Sequence, residues 1–248
     1  MCTASWLVDN GAFHLFFNRD EQIDRVIATP PNYHQSPDGT QWVMPIDPQG
    51  GGSWIGVNEY GIALCLLNFY QGQTPQGPLV SRGQLVKTFI QHQSVDGLIK
   101  AFKQLDLSHY APFTFVLFAP TQSPLAHNVR AMQWDGHSLC DSVAASPVSS
   151  SGYRYEEVIQ FRRQHYTQHV LPNPTVAAHI DFHRHRSELS YLGPNLQRND
   201  AKTVSFTHIC IDQSHITMDY QDADSEAITR CSMRLKKHKD TEKRHVVG

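Results

Sequence analysis

The most reactive side chain in this 248-residue sequence stands at its second position, in MCTASW. A cysteine thiolate attacks carbonyl carbon readily. Position 2 adds a further option. Methionine removal is permitted when the next residue is small, and the freed α-amine, with an ordinary pKa of about 8, would lie beside the thiol. Cys2 would then supply nucleophile and base together. The plainer reading packs Cys2 into a strand end as a small hydrophobe. A retained Met1 would block the amine and mask the chemistry.

A second group follows one hairpin later, Asn18-Arg19-Asp20-Glu21. Arginine offers a planar donor fork and aspartate accepts from an amine, so the group could orient a free ammonium and hold a substrate carboxylate. A surface salt-bridge cluster reads equally well. Asn68 closes the apolar run ALCLLN, where its amide could donate to a developing oxyanion or simply end a strand. Arg198 and Asp200 precede a strong strand pattern and either reach an acyl group or pair with each other. Ser149, Ser150 and Ser151 before Gly152 read as a helix cap and turn, with no base partner near them in sequence.

The elements that must position these residues can be read from periodicity. TASWLVD and FHLFFN flank the turn signal DNGA, which predicts an antiparallel hairpin at the start. Residues 28–53 are rich in Pro, Gly, Asn and Gln and read as one long irregular loop. Gly50 to Gly52 permit close backbone approach, but no GK[ST] follows, so this is not a phosphate loop. SWIGVNE and GIALCLLNFY read as strands. A helix capped by Ser81 and a second over DGLIKAFKQL come next. PFTFVLFAP, AHNVRAMQWDG and SLCDSVAAS read as strands, with Phe113, Phe115 and Phe118 as core. Helices are expected from Ser151 to about His169 and from Pro174 to Leu189, then strands over TVSFTHICID, HITMDYQD and AITRCSMRL. Each strand block needs a buried face, and two stacked antiparallel sheets with helices outside supply it. No repeat or linker divides the chain, so residues 1–235 read as a single domain and 236–248 as a basic tail.

Composition narrows the function classes. Hydrophobic residues make up 40%, enough for a large core, and the formal net charge is -2. No global field points to nucleic acid or to an anionic membrane. No signal peptide or membrane-spanning run is visible. Five cysteines without metal-site spacing fit a reducing, cytoplasmic setting. Among 15 histidines, His179 and His183 share a helix face, but no HExxH and no convincing third ligand accompany them, so no metal is expected.

MCTASW at the start, FFNRDE at 16–21, GGGSWIGVNEYGIALCLLNF at 50–69 and LQRNDAKTVSF at 196–206 together resemble the NRDE family, also called the transport and Golgi organisation 2 family. The match runs in the right order over most of the chain. The resemblance implies an α+β fold, the four-layer αββα sandwich of the N-terminal nucleophile hydrolases. The mechanistic analogues are cysteine-type amidases such as penicillin V acylase and conjugated bile acid hydrolase. By that resemblance Cys2 is the catalytic cysteine, exposed once methionine leaves. Arg19 and Asp20 fall where those enzymes keep an arginine and an aspartate, though they space the pair more widely. Asn68 matches an oxyanion residue, and Arg198 lies where a late catalytic arginine falls. The implied reaction is cleavage of a non-peptide amide bond in a small acylated substrate, without a cofactor. The family also implies a different class of function: a carrier of an apolar ligand such as a lipid or haem, with Cys2 or a histidine in contact. A protein-interaction role without a small ligand is a third.

Overall fold

A computed structural model describes residues 1–119 and 129–236. The basic tail expected over 236–248 lies outside the described residues from 237 onward. In chain order the elements are β1 (Cys2–Asp9), β2 (Ala12–Gln22), β3 (Thr29–Gln35), β4 (Gln41–Ile46), β5 (Ile55–Asn58) and β6 (Ala63–Asn68). Then come α1 (Gly83–Phe89), α2 (Val95–Lys103), β7 (Phe113–Phe118), β8 (Arg130–Trp134), β9 (Leu139–Val143) and β10 (Val148–Ser150). The chain continues with α3 (Tyr155–His169), α4 (Val176–Arg184), β11 (Ala201–Ile211), β12 (His215–Asp222) and β13 (Ile228–Arg234).

The opening hairpin forms because Asn10 and Gly11 both take positive φ, 49° and 78°, the turn whose twist suits two antiparallel strands. It pairs Cys2 with Arg19 and Thr3 with Asn18. The strands build a six-stranded sheet, β10-β1-β2-β11-β12-β13, and a seven-stranded sheet, β3-β4-β5-β6-β7-β8-β9. The ladders among the described strands are antiparallel.

Side-chain alternation shows how the layers stack. In β6, Ala63, Cys65 and Leu67 enter a core between the sheets with Leu15, Phe17, Ile209 and Met218. Leu64 and Leu66 face the other way, onto Leu85 and Phe89 of α1 and Leu98 and Phe102 of α2. A strand covered on both sides reads as a continuous apolar run, which is why ALCLL lacks alternation. On the far side, Tyr166 and Val170 near the end of α3 pack with Phe182 of α4. The result is the four-layer αββα sandwich.

Three expectations are corrected. Residues 28–53 are not one loop, since β3 and β4 form a hairpin within them. Pro30 and Pro31 masked it. They sit on the edge strand of the seven-stranded sheet, where a missing N–H is tolerated, at a register shift between Thr29 and Asn32. The serines at 149–151 do not cap a helix. Ser149 and Ser150 belong to β10, which pairs with Cys2 to Ala4, and α3 starts at Tyr155 after Arg154, whose side chain makes no capping bond. Ser81 likewise precedes α1 without capping it, whereas Ser94 and Thr175 do cap α2 and α4.

Candidate active site

Where the first strand begins, the two sheets part around a cleft of about 490 Å³, within the usual range for a small-molecule site. Cys2, Arg19, Asp20, Asn68 and Arg198 all line it. β1 delivers Cys2, β2 delivers Arg19 and Asp20, and the end of β6 delivers Asn68 across the gap between sheets. The GGGSW segment closes one wall. A Cβ on Gly52 would fall 2.3 Å from the carbonyl carbon of Gly83, and the Ser53 N–H donates to the Gly83 carbonyl at 3.0 Å. Trp54, fixed by that turn, lies under Arg19, whose guanidinium carbon is 4.2 Å from the ring centroid.

Cys2 is held from three sides. Its N–H donates to Ser150 Oγ at 3.0 Å, its strand pairs with Arg19, and the Asp20 N–H donates to the Met1 carbonyl at 3.0 Å. Burial pushes the Cys2 thiol up, and the neighbouring terminal ammonium pulls it back only in part. Desolvation also weakens the Met1 ammonium, yet Cys2, Tyr70 and Asp20 around it raise its pKa above the ordinary value.

Asp20 is buried. Thr203 Oγ1 donates to its Oδ1 at 2.6 Å, and Arg162 approaches its Oδ2 only to 3.7 Å. That second oxygen has no hydrogen-bond donor among the described residues. Burial therefore raises the Asp20 pKa against the pull of Arg162, the terminal ammonium and Thr203. Arg162 is itself fully buried and donates to the Leu192 and Gly193 carbonyls and to Thr3 Oγ1. β11 slips register against β2 between Thr203 and Ser205, directly beside Asp20. Bulges of this kind re-aim side chains next to functional sites.

Across the cleft, Asn68 Nδ2 donates to Tyr70 Oη at 3.0 Å, and the Met1 nitrogen donates to the same oxygen at 3.2 Å. Tyr70 rests on Gly152, where a Cβ would come within 3.0 Å of the ring. Arg19 pairs with Glu21 at 3.1 Å. Arg198 pairs with Asp200, the local ion pair the sequence allowed, and still lines the cleft. Ser150, Tyr70, Arg162 and Thr203 escaped the sequence reading. Ser150, Arg162 and Thr203 act through partners far away in the chain, Tyr70 joins Met1 to Asn68, and only the serine run, read as a cap and turn, gave any signal. His179 and His183 do share a face, but it meets Ser5, and no group of metal-binding side chains occurs among the described residues.

The family model for transport and Golgi organisation 2 matches residues 1–227. The chain belongs to the transport and Golgi organisation 2 family. No curated protein matches it. Among solved structures, this family member is similar to a cysteine-to-alanine mutant of conjugated bile acid hydrolase from Clostridium perfringens, at 10% identity and TM-score 0.56, covering 96% of this chain and 98% of that one. An arginine-to-leucine variant of the same hydrolase gives 11% identity and TM-score 0.55 over the same shares. The Caenorhabditis elegans ortholog of N-acylethanolamine-hydrolyzing acid amidase gives 11% and 0.54, covering 84% of this chain and 92% of that one. At such identities the likeness shows the fold, that of the N-terminal nucleophile hydrolases. Among the described residues no helix is long and apolar enough to cross a membrane.

Proposed function

We propose that this protein is an N-terminal cysteine amidohydrolase that cleaves the C–N bond of a small acylated substrate once Met1 is removed. The observation that supports this reading is convergence: a thiol, a strand-ending amide, an arginine and a buried carboxylate with one oxygen lacking a donor all meet in one cleft.

In the proposed reaction the free α-amine of Cys2 takes the Sγ proton, and Sγ attacks the substrate carbonyl carbon. Asn68 Nδ2–H stabilises the oxyanion, for which Tyr70 Oη must give way. Collapse breaks the C–N bond, and the α-ammonium passes its proton to the departing amine. Water then attacks the Cys2 thioester with the α-amine as base, releasing the acid and restoring the thiol. Asp20 would hold the terminal ammonium, and Arg19, braced by Glu21 and Trp54, would shape the wall. Ser150 Oγ, which now accepts from the Cys2 N–H, would accept from the ammonium in the processed chain.

A haem or lipid carrier asks for a broad apolar pocket. Here the lining carries Arg19, Arg25, Arg82 and Arg198 with Asp20, Glu21, Asp47 and Asp200, and no histidine. That charged lining is not the broad apolar pocket a carrier asks for, and it favours the hydrolase. The test is intact-mass measurement of Met1-free protein after exposure to penicillin V as an acylating amide. One adduct per chain is expected, absent in Cys2→Ala. Labelling that persists in Cys2→Ala overturns the reading.

A further inference from the structure

Charge in the cleft does not close on itself. Arg19 pairs with Glu21, Arg25 with Glu21 and Asp47, and Arg198 with Asp200. Arg82 has no carboxylate partner among the described residues. Among the described residues the guanidinium makes one hydrogen bond, from Nη1 to the Pro112 carbonyl at 3.0 Å. The Nε–Nη2 edge, the side of the guanidinium that meets a carboxylate with two parallel hydrogen bonds, has no partner among the described residues.

The residue is also held in place. It stands just before α1, in the turn that Gly52 and Gly83 press together. Gln84 Nε2 donates to the Gly50 carbonyl at 2.8 Å on one side, and the Pro112 carbonyl grips Nη1 on the other. Arg82 lines the cleft together with Tyr70, Cys2, Glu21 and Arg25, so it borders the same space as the thiol. Desolvation lowers its pKa, as expected of a cation lacking a counter-ion.

We propose that the ligand of this cleft carries a carboxylate or equivalent anion, and that Arg82 receives it through its free Nε–Nη2 edge. Arg82 is thus a specificity-determining residue. The inference rests on the reading of the cleft as an acyl-substrate site, and it names the substrate class as an acylated compound bearing negative charge. A neutral ligand would leave a half-buried cation without a partner, and that cost would select against it.

The anion could sit on either side of the scissile amide, so two matched pairs of probes are needed. N-hexanoylglycine and N-hexanoylglycinamide differ only in an anion on the amine side. N-hexylglutaramic acid and N-hexylglutaramide differ only in an anion on the acyl side. Binding is measured by calorimetry on the full chain, with and without Met1, carrying Cys2→Ala to prevent turnover. In at least one pair the acid should bind about tenfold tighter than the amide. Arg82→Gln should erase that preference, and Arg82→Lys, which keeps the charge but not the fork, should retain part of it with an unchanged melting temperature. Equal binding of acid and amide in both pairs, no binding of any probe, or a preference that survives Arg82→Gln would overturn the proposal. The two readings fail separately. Cys2 acylation without an acid preference defeats only this one, and an acid preference without Cys2 acylation defeats only the hydrolase.

Discussion

Asp20 faces Arg162 across 3.7 Å with both side chains withdrawn from water. Taking two charges out of water is costly, and removing only one of them costs more, because the survivor is left uncompensated. Asp20→Asn should therefore destabilise the protein by about 3 kcal/mol, read as a lower urea midpoint with an unchanged slope. An unchanged midpoint would mean that Asp20 does not balance Arg162. The side chain was legible as a candidate from Asn18-Arg19-Asp20-Glu21, but its partners were not. Thr203 lies 183 positions away and meets Asp20 through a register slip that no local pattern announces. The motif also joins two environments. Arg19 lies over Trp54 and pairs with Glu21, whereas the Asn18 amide donates to the His183 and Pro194 carbonyls on the helical side. Alternation along one strand sends neighbouring motif residues to opposite faces.

At the level of elements, α4 is fastened to the six-stranded sheet by a polar contact inside an apolar layer. Ser5 Oγ lies 2.8 Å from Nδ1 of His179 and 2.9 Å from Nε2 of His183. A hydroxyl has one proton, so it donates to one ring and accepts from the other. Phe16 of β2 stacks beside them, 4.8 Å from His179 and 4.5 Å from His208 between ring centroids. Ser5→Ala should strand two buried ring nitrogens and lower the unfolding free energy by about 1–3 kcal/mol, measured by urea titration. No change would show that the helix is held by Phe182 and its neighbours alone. Helical spacing revealed that the two histidines share a face, but the serine between them sits in another element and carries no local signal. The same limit explains β3, where composition argued for a loop and edge position permitted a strand. It explains β10 as well, whose three residues are too few to show a period.

For the molecule as a whole, acid should be the weak point. Burial holds His179, His208 and His165 down to about 4, and His14 and His183 are lowered for the same reason. Each ring would titrate near its ordinary 6.5 in the unfolded chain. Between those values the unfolded chain binds more protons, so stability present above about pH 6.5 is lost as pH falls toward about 4, and His179, His208 and His165 cause no further loss below that. The urea midpoint should drop steadily across this window, and His208→Phe should shallow the slope. A flat profile would refute the assignment. The stacked-sheet architecture itself was legible, because ALCLL and FTFVLF are apolar enough to demand cover on both faces. The pairing order of the sheets was not, since strands distant in sequence choose their partners by tertiary fit.

That pairing order bears on how such a protein is made. Cys2 donates its N–H to Ser150, a residue 148 positions downstream. In a chain that begins at Met1, synthesis at about 5 to 20 residues per second brings Ser150 out roughly 7 to 30 s after the first residues. Until then the leading end has no β10 to dock against and stays open to an aminopeptidase. Later the finished sheet closes around it. Trimming would thus be a matter of timing during translation, and a slow trimming enzyme or hurried ribosome would leave a lasting fraction of capped molecules.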